Sequence, residues 1–144
     1  MISLRKVTFE DWSLLLAWRN DEMTRFNSHT TVLVAEESHK NWLKRALENS
    51  GQQLYIAEED GIPVGTVRAD FDEVLNDYLL SWTTAPEARG KGTGKRMVKA
   101  LTDLLNTRIR AEIKSGNTAS VKIAEFAGLI FKKEENGVLY FSNY

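Results

Sequence analysis

Glycine turns set between alternating runs, helical stripes that carry caps, and the order in which these follow one another predict a mixed α/β fold. The expected architecture is a mostly antiparallel central sheet of about seven strands flanked by four helices. The turns are Asp60-Gly61 and Asn136-Gly137, pairs that tolerate the positive φ angles of a tight hairpin. The order along the chain is β α α β β β α β α β β, a mixed α/β sandwich rather than a doubly wound sheet.

Each element has its own local reason. Residues 2–7 are a short mixed strand. Thr8 with Asp11 three residues on forms a capping box, and Trp12, Leu15 and Leu16 share one face of the helix it opens, which runs to about Asn20. A loop rich in Thr and Asn follows. From about Glu36, the residues His39, Trp42, Leu43, Ala46 and Leu47 form a second helical stripe, stopped at Ser50-Gly51. "QLYIAEEDGIPVGTVRADF" reads as two strands around the Asp60-Gly61 turn, and "DYLLSWTTA" as a third. Met97, Leu101, Leu104 and Leu105 recur at the spacing of a helix lying on a sheet. "IRAEIK" alternates as a strand, with Ile109, Ala111 and Ile113 on one side. Asn117 caps a last helix carrying Ala119, Ile123, Phe126 and Ala127, which Gly128 ends, and "LIFKKEENGVLYFSNY" is the closing hairpin. Trp12, Trp42 and Phe126 are expected in the core.

With 144 residues, two prolines and no low-complexity run, the chain is expected to form one domain over 1–144. Its net charge of -1, with acids and bases interspersed, offers no overall field for nucleic acid or an anionic membrane, so an anion site has to be local. The absence of cysteine excludes disulfides, thiolate metal sites and a Cys nucleophile. Two histidines far apart argue against a metal centre. No signal-peptide core and no membrane-length apolar run is present, and a cytoplasmic location is the expectation.

The local anion site is "RGKGTGKR", Arg89 to Arg96, between a strand and a helix. A triphosphate loop requires GxxxxGK followed by Ser or Thr, but Gly94-Lys95 is followed by Arg96 and has Arg89 five positions before it. A dinucleotide loop, GxGxxG, would place its third glycine at 95, which is Lys. What remains is RxxGxG. The peptide N–H groups from Gly90 through Lys91, Gly92 and Thr93 to Gly94 can turn inward as a donor nest, reinforced by the helix N-terminus, with Lys91, Lys95 and Arg96 as cations at the rim. A pyrophosphate suits such a loop.

"APEARGKGTG" resembles the acetyl-CoA loop of the GNAT acetyltransferase superfamily, Q/R-x-x-G-x-G/A, and the element order is similar to that fold over nearly the whole chain. "NTASVKIAEFAGL" is similar to the later GNAT segment, here with Asn117, Gly128 and Leu129 where Phe is usual. "WRND" at 18–21 and "ESHKNW" on the second helix resemble the subgroup that acetylates amino sugars on nucleotide carriers, and its relatives that acetylate protein N-termini.

The resemblance implies an N-acetyltransferase with acetyl-CoA as donor and no metal. The pantetheine arm would lie as a pseudo-strand along the backbone of Trp82, Thr83 and Thr84, the pyrophosphate on residues 89–95, and Asn117 nearby. A neutral amine would attack the acetyl group directly, in a ternary complex without a covalent enzyme intermediate. The family's usual Tyr acid is Ala124 here, and the usual Glu on the strand before the loop is Tyr78 or Leu79. Asp70, Asp72, Glu73 and Asp77 are the acids nearby in sequence. Asp77, Tyr78 and Ser81 are therefore the candidate catalytic groups, and Arg19, Asn20 and His29 the candidate acceptor contacts. His39, on an apolar stripe, reads as a core histidine. A nucleotide-linked amino sugar is the favoured acceptor, and a ribosomal-type protein N-terminus or a silent acyl-CoA-binding module are the alternatives. A small-molecule amine is the expected partner, with no nucleic acid or membrane, on a monomer or a homodimer paired through the terminal hairpin.

Overall fold

The computed structural model describes residues 1–144. In chain order the elements are β1 (Ile2–Lys6), α1 (Trp12–Asn20), α2 (Glu22–Phe26), α3 (Glu36–Glu48), β2 (Gln52–Glu59), β3 (Ile62–Asp72), β4 (Asp77–Thr84), α4 (Thr93–Leu105), β5 (Ile109–Lys114), α5 (Thr118–Phe126), β6 (Ile130–Glu135) and β7 (Val138–Ser142). The seven strands form one sheet in the order β1-β2-β3-β4-β5-β7-β6. Every neighbouring pair is antiparallel except β4 with β5, the one pair joined through a crossover helix, α4.

The sheet is covered on both faces. Tyr55, Val67, Leu80 and Ile113 point to one side and pack with Met97 and Leu101 of α4 and Ala124 of α5. Leu54 and Ile56, the alternate residues of β2, point to the other side and meet Leu15 and Trp18 of α1 and Leu43 of α3. Fully burying a side chain such as Met97 or Leu101 contributes about 1.5–3 kcal/mol, so α4 is held to the sheet chiefly by that stripe. The expected box at Thr8 is present: its backbone N–H donates to Asp11 Oδ2 at 2.8 Å, opening a 3₁₀ turn (Phe9–Asp11) that leads into α1.

Two expectations need correction. The helices number five, because Asp21 caps a five-residue α2 by accepting from Thr24 N–H at 3.1 Å inside the stretch read as loop; so short a helix has no apolar period to betray it. Phe126 is 54% exposed. It lies two residues past the buried Ala124, which carries it about 200° around the helix and out of the core. The free edge of the terminal hairpin is β6, exposed along its length, while β7 is enclosed between β5 and β6. Trp12 and Trp42 are half-buried against the α1/α3 core, and no helix is long and apolar enough to cross a membrane.

Candidate active site

The site begins where the sheet comes apart. β4 and β5 pair only from Tyr78 with Ile109 to Leu80 with Ala111. Beyond that point β4 continues to pair with β3, as far as Thr84 with Gly65, but no longer with β5. A wedge opens between the strands, and the β5-facing edge of Ser81–Thr84 is free to bond an extended guest. Side-chain alternation places Ser81 of β4 and Glu112 of β5 on the same face, the α1/α3 face, at the start of the wedge. Ser81 is exposed there.

Beyond the wide end of the wedge lies the glycine loop, running from the 3₁₀ turn Pro86–Ala88 into α4. Gly90 and Gly92 have φ of 77° and 74°, a left-handed conformation that costs a side-chain-bearing residue about 1–2 kcal/mol. Gly94 serves differently. A Cβ there would lie 2.5 Å from Ile123 Cδ1 of α5 and 3.0 Å from Thr84 Oγ1, so glycine lets the start of α4 close onto β4 and α5. Nothing stands within 4 Å of a Cβ built at Gly90, and the loop is open to a ligand there. The rim cations divide. Lys91 is exposed and Lys95 sits 5.8 Å from the Phe126 ring. Arg96 is taken up by Glu59 at 3.0 Å and by the Lys91 carbonyl at 2.9 Å, bracing the loop against β2.

Arg89, first residue of the RxxGxG pattern, donates from Nη2 to Asp21 Oδ2 at 2.6 Å and to Thr24 Oγ1 at 3.1 Å. The Arg89 hydrogen bond is the chief reason the Asp21 carboxyl is held below the usual carboxylate range. At the other end of α2, Lys114 of β5 donates to the Phe26 carbonyl at 2.8 Å. The short helix is thus strapped from the glycine loop to β5, across the wedge on the α1/α3 side. His29, just past it, has Nε2 4.0 Å from Glu112 Oε1. Glu112 is oriented by Arg110, whose Nη1 lies 3.1 Å from its Oε2.

The sequence candidates separate. Asp77 is buried, its Oδ1 accepting from Arg110 Nε at 3.2 Å and its Oδ2 from the Tyr144 hydroxyl at 2.6 Å. That bond to the carboxylate keeps the Tyr144 phenol above its ordinary value. Tyr78 points to the α4 face, where its hydroxyl accepts from Gln53 Nε2 at 3.2 Å. Asp77, Tyr78 and Ser81 therefore do not converge, and only Ser81 stands at the open wedge. Trp82, Thr83 and Thr84 form the free edge, and Trp82 Nε1 donates to Ser120 Oγ at 3.2 Å, beside Asn117, which caps α5 through Oδ1. Ala124 is fully buried. Asn20 pins the loop 27–35 by bonding both backbone groups of Val34, at 2.8 and 2.9 Å, and Arg19 Nη2 donates to the Thr30 carbonyl at 3.0 Å. His39 is buried, donating from Nε2 to the Trp12 carbonyl at 3.1 Å, and burial lowers its pKa.

Sequence reasoning passed over Glu112 and Asp21. The signal for Glu112 was the alternation of "IRAEIK", whose polar side is Arg110, Glu112 and Lys114. Asp21 left only its place next to Asn20.

Residues 2–130 match the family model described as the acetyltransferase (GNAT) domain. No curated protein matches the chain at the sequence level. Among solved structures, an aminoglycoside acetyltransferase in complex with coenzyme A and kanamycin superposes with a TM-score of 0.84 at 20% identity, covering 99% of this chain and 94% of that one. The spermidine N-acetyltransferase of Vibrio cholerae, in complex with CoA and spermine, gives 0.83 at 13% identity over 98% and 93%. The ribosomal-protein-alanine N-acetyltransferase of Brucella melitensis gives 0.79 at 24% identity over 97% and 98%. These likenesses are of fold.

Proposed function

The chain belongs to the acetyltransferase (GNAT) family, and on that premise we infer that it transfers acetyl from acetyl-CoA to a primary amine held on the α1/α3 face of the β4–β5 wedge. The observation that carries this is the coincidence of an unpaired strand edge with a left-handed glycine loop at a helix N-terminus. Together they fit an extended arm ending in a pyrophosphate: the edge of Trp82–Thr84 offers backbone partners, and the loop, open beside Gly90, leads into the N-terminus of α4. Acetyl-CoA supplies the acetyl group as a thioester, which the amine attacks directly.

The residues of this chain have distinct tasks. Glu112, fixed by Arg110, takes a proton from the incoming ammonium, directly or through one water, so that a neutral amine is presented. Ser81, opposite it on the same face, is placed to donate a hydrogen bond to the departing sulfur. Leu79, Ser81 and Thr83 form the floor of the acceptor site, and α2 with the loop 27–35 forms its wall. A nucleotide-linked amino sugar remains the favoured acceptor, supported by the likeness of "WRND" and the polar lining of the site.

Calorimetry with acetyl-CoA, followed by CoA release with a panel of amino sugar nucleotides, polyamines, amino acids and N-terminal peptides, tests the reading. Binding in the micromolar range with amine-dependent release is expected. No binding, or binding undiminished in Gly92→Val, would overturn it. Glu112→Gln should lower kcat about 10²–10³-fold with acetyl-CoA affinity retained; an unaltered rate would remove Glu112 from the mechanism.

A further inference from the structure

The arginines of this chain are mostly neutralised. Arg5, Arg68, Arg89, Arg96 and Arg110 each hold a carboxylate, and Arg45 and Arg108 are exposed to water. Arg19 and Arg25 differ. Both are half-buried and neither has a carboxylate within ion-pairing distance. Their partners are backbone carbonyls: Arg19 Nη2 donates to Thr30 at 3.0 Å, Arg25 Nη1 to Thr31 at 3.4 Å, and Arg25 Nε to Asn20 at the end of α1 at 3.1 Å. Arg19 Nη1 is cut off from solvent with no acceptor at all. A buried guanidinium N–H is normally satisfied, and an orphan one beside a second cation marks a place prepared for an anion. Burial and the charge of Arg25 both weaken the hold of Arg19 on its proton, which is the signature of positive charge left uncompensated. Thr30 and Thr31 directly follow His29, which faces Glu112 at 4.0 Å, so the two cations stand at the wall of the acceptor site.

We propose that Arg19 and Arg25 form an anion subsite of the acceptor pocket, and that the acceptor is a primary amine that also carries a phosphate or carboxylate group. The inference rests on the acceptor site lying where it is placed above. It assigns the substrate a charge opposite to that of the polycations kanamycin and spermine bound by two of the structural neighbours.

Calorimetry on the full chain saturated with CoA, using matched ligands, decides it. The pairs are glucosamine 6-phosphate against glucosamine, a nucleoside-diphosphate-linked amino sugar against the same free sugar, and alanine against alaninamide, with spermidine as the cationic control. At least one anionic member should bind tenfold or more tightly than its neutral partner, and Arg19→Gln and Arg25→Gln should each abolish that gain while Arg19→Lys keeps part of it. CoA affinity of each variant confirms that the fold is intact. The pair that responds tells phosphate from carboxylate. Equal binding within all three pairs, tighter binding of spermidine, or a gain that survives Arg19→Gln/Arg25→Gln would overturn the proposal. Anion binding with no CoA release from acetyl-CoA for any amine would leave the subsite standing and sink the acetyltransferase reading instead.

Discussion

Gly94 and Gly92 sit two residues apart and are needed for unrelated reasons. A methyl at Gly94 must push aside Ile123, whose Cδ1 would be 2.5 Å away, so Gly94→Ala should cost about 1–3 kcal/mol, read as a melting point several degrees lower. A methyl at Gly92 meets nothing closer than Arg96 Nη1 at 3.3 Å, and its cost is the left-handed backbone, about 1–2 kcal/mol. Sequence showed the spacing of these glycines but could not tell conformational need from packing need, because only the approach of α5 distinguishes them. Asp77 teaches the same lesson. Sequence offered it as a candidate catalytic group because it opens the strand before the glycine loop; the fold buries it against Arg110 and Tyr144. Asp77→Ala should therefore cost about 1–3 kcal/mol in a denaturant titration, since the Tyr144 hydroxyl loses its acceptor and Arg110, which keeps Asp72 and Glu112, loses its one fully buried counter-charge.

At the scale of elements, α2 joins the glycine loop to β5. It touches the glycine loop through Asp21–Arg89 and β5 through Lys114. Because the carboxyl of Asp21 is depressed in the folded state, the contribution of its pair with Arg89 is complete above the ordinary carboxylate pKa of about 4 and fades as pH falls through the lower folded value. The pair is partly exposed, so its worth is about 1 kcal/mol or less. The melting-point difference between Asp21→Asn and the natural chain should accordingly be small and constant from pH 5 to 7 and shrink progressively below about pH 4. A difference that grows in acid would contradict the assignment. Periodicity made β2 to β5 and the four longer helices legible in the sequence, since each presents an apolar face to a core, whereas β6 and β7 were read from the Asn136-Gly137 turn and β6 is exposed along its length. The strap was invisible because a five-residue helix that bridges rather than packs has no such face.

For the whole molecule, a ligand that binds only the folded chain must raise its stability. Acetyl-CoA at a hundredfold excess over its dissociation constant should add about 2.7 kcal/mol, a rise of about 6–12 °C in the melting point of a domain of this size. Gly92→Val should show little of that rise. The sheet itself has two antiparallel halves, β1-β2-β3-β4 and β5-β7-β6, and between them only residues 78–80 and 109–111 are in register. The buried pair of Asp77 on β4 and Arg110 on β5 lies at this short seam, next to the last place where the two halves are stitched. The seam has a clasp at its closed end: the Asp77–Arg110 pair holds the two halves where their pairing begins, and the split opens only at the far end. Stability and reach are then set at opposite ends of one strand, and a chain that loses its clasp should show faster amide exchange first along Tyr78–Leu80, well before either half of the sheet unfolds.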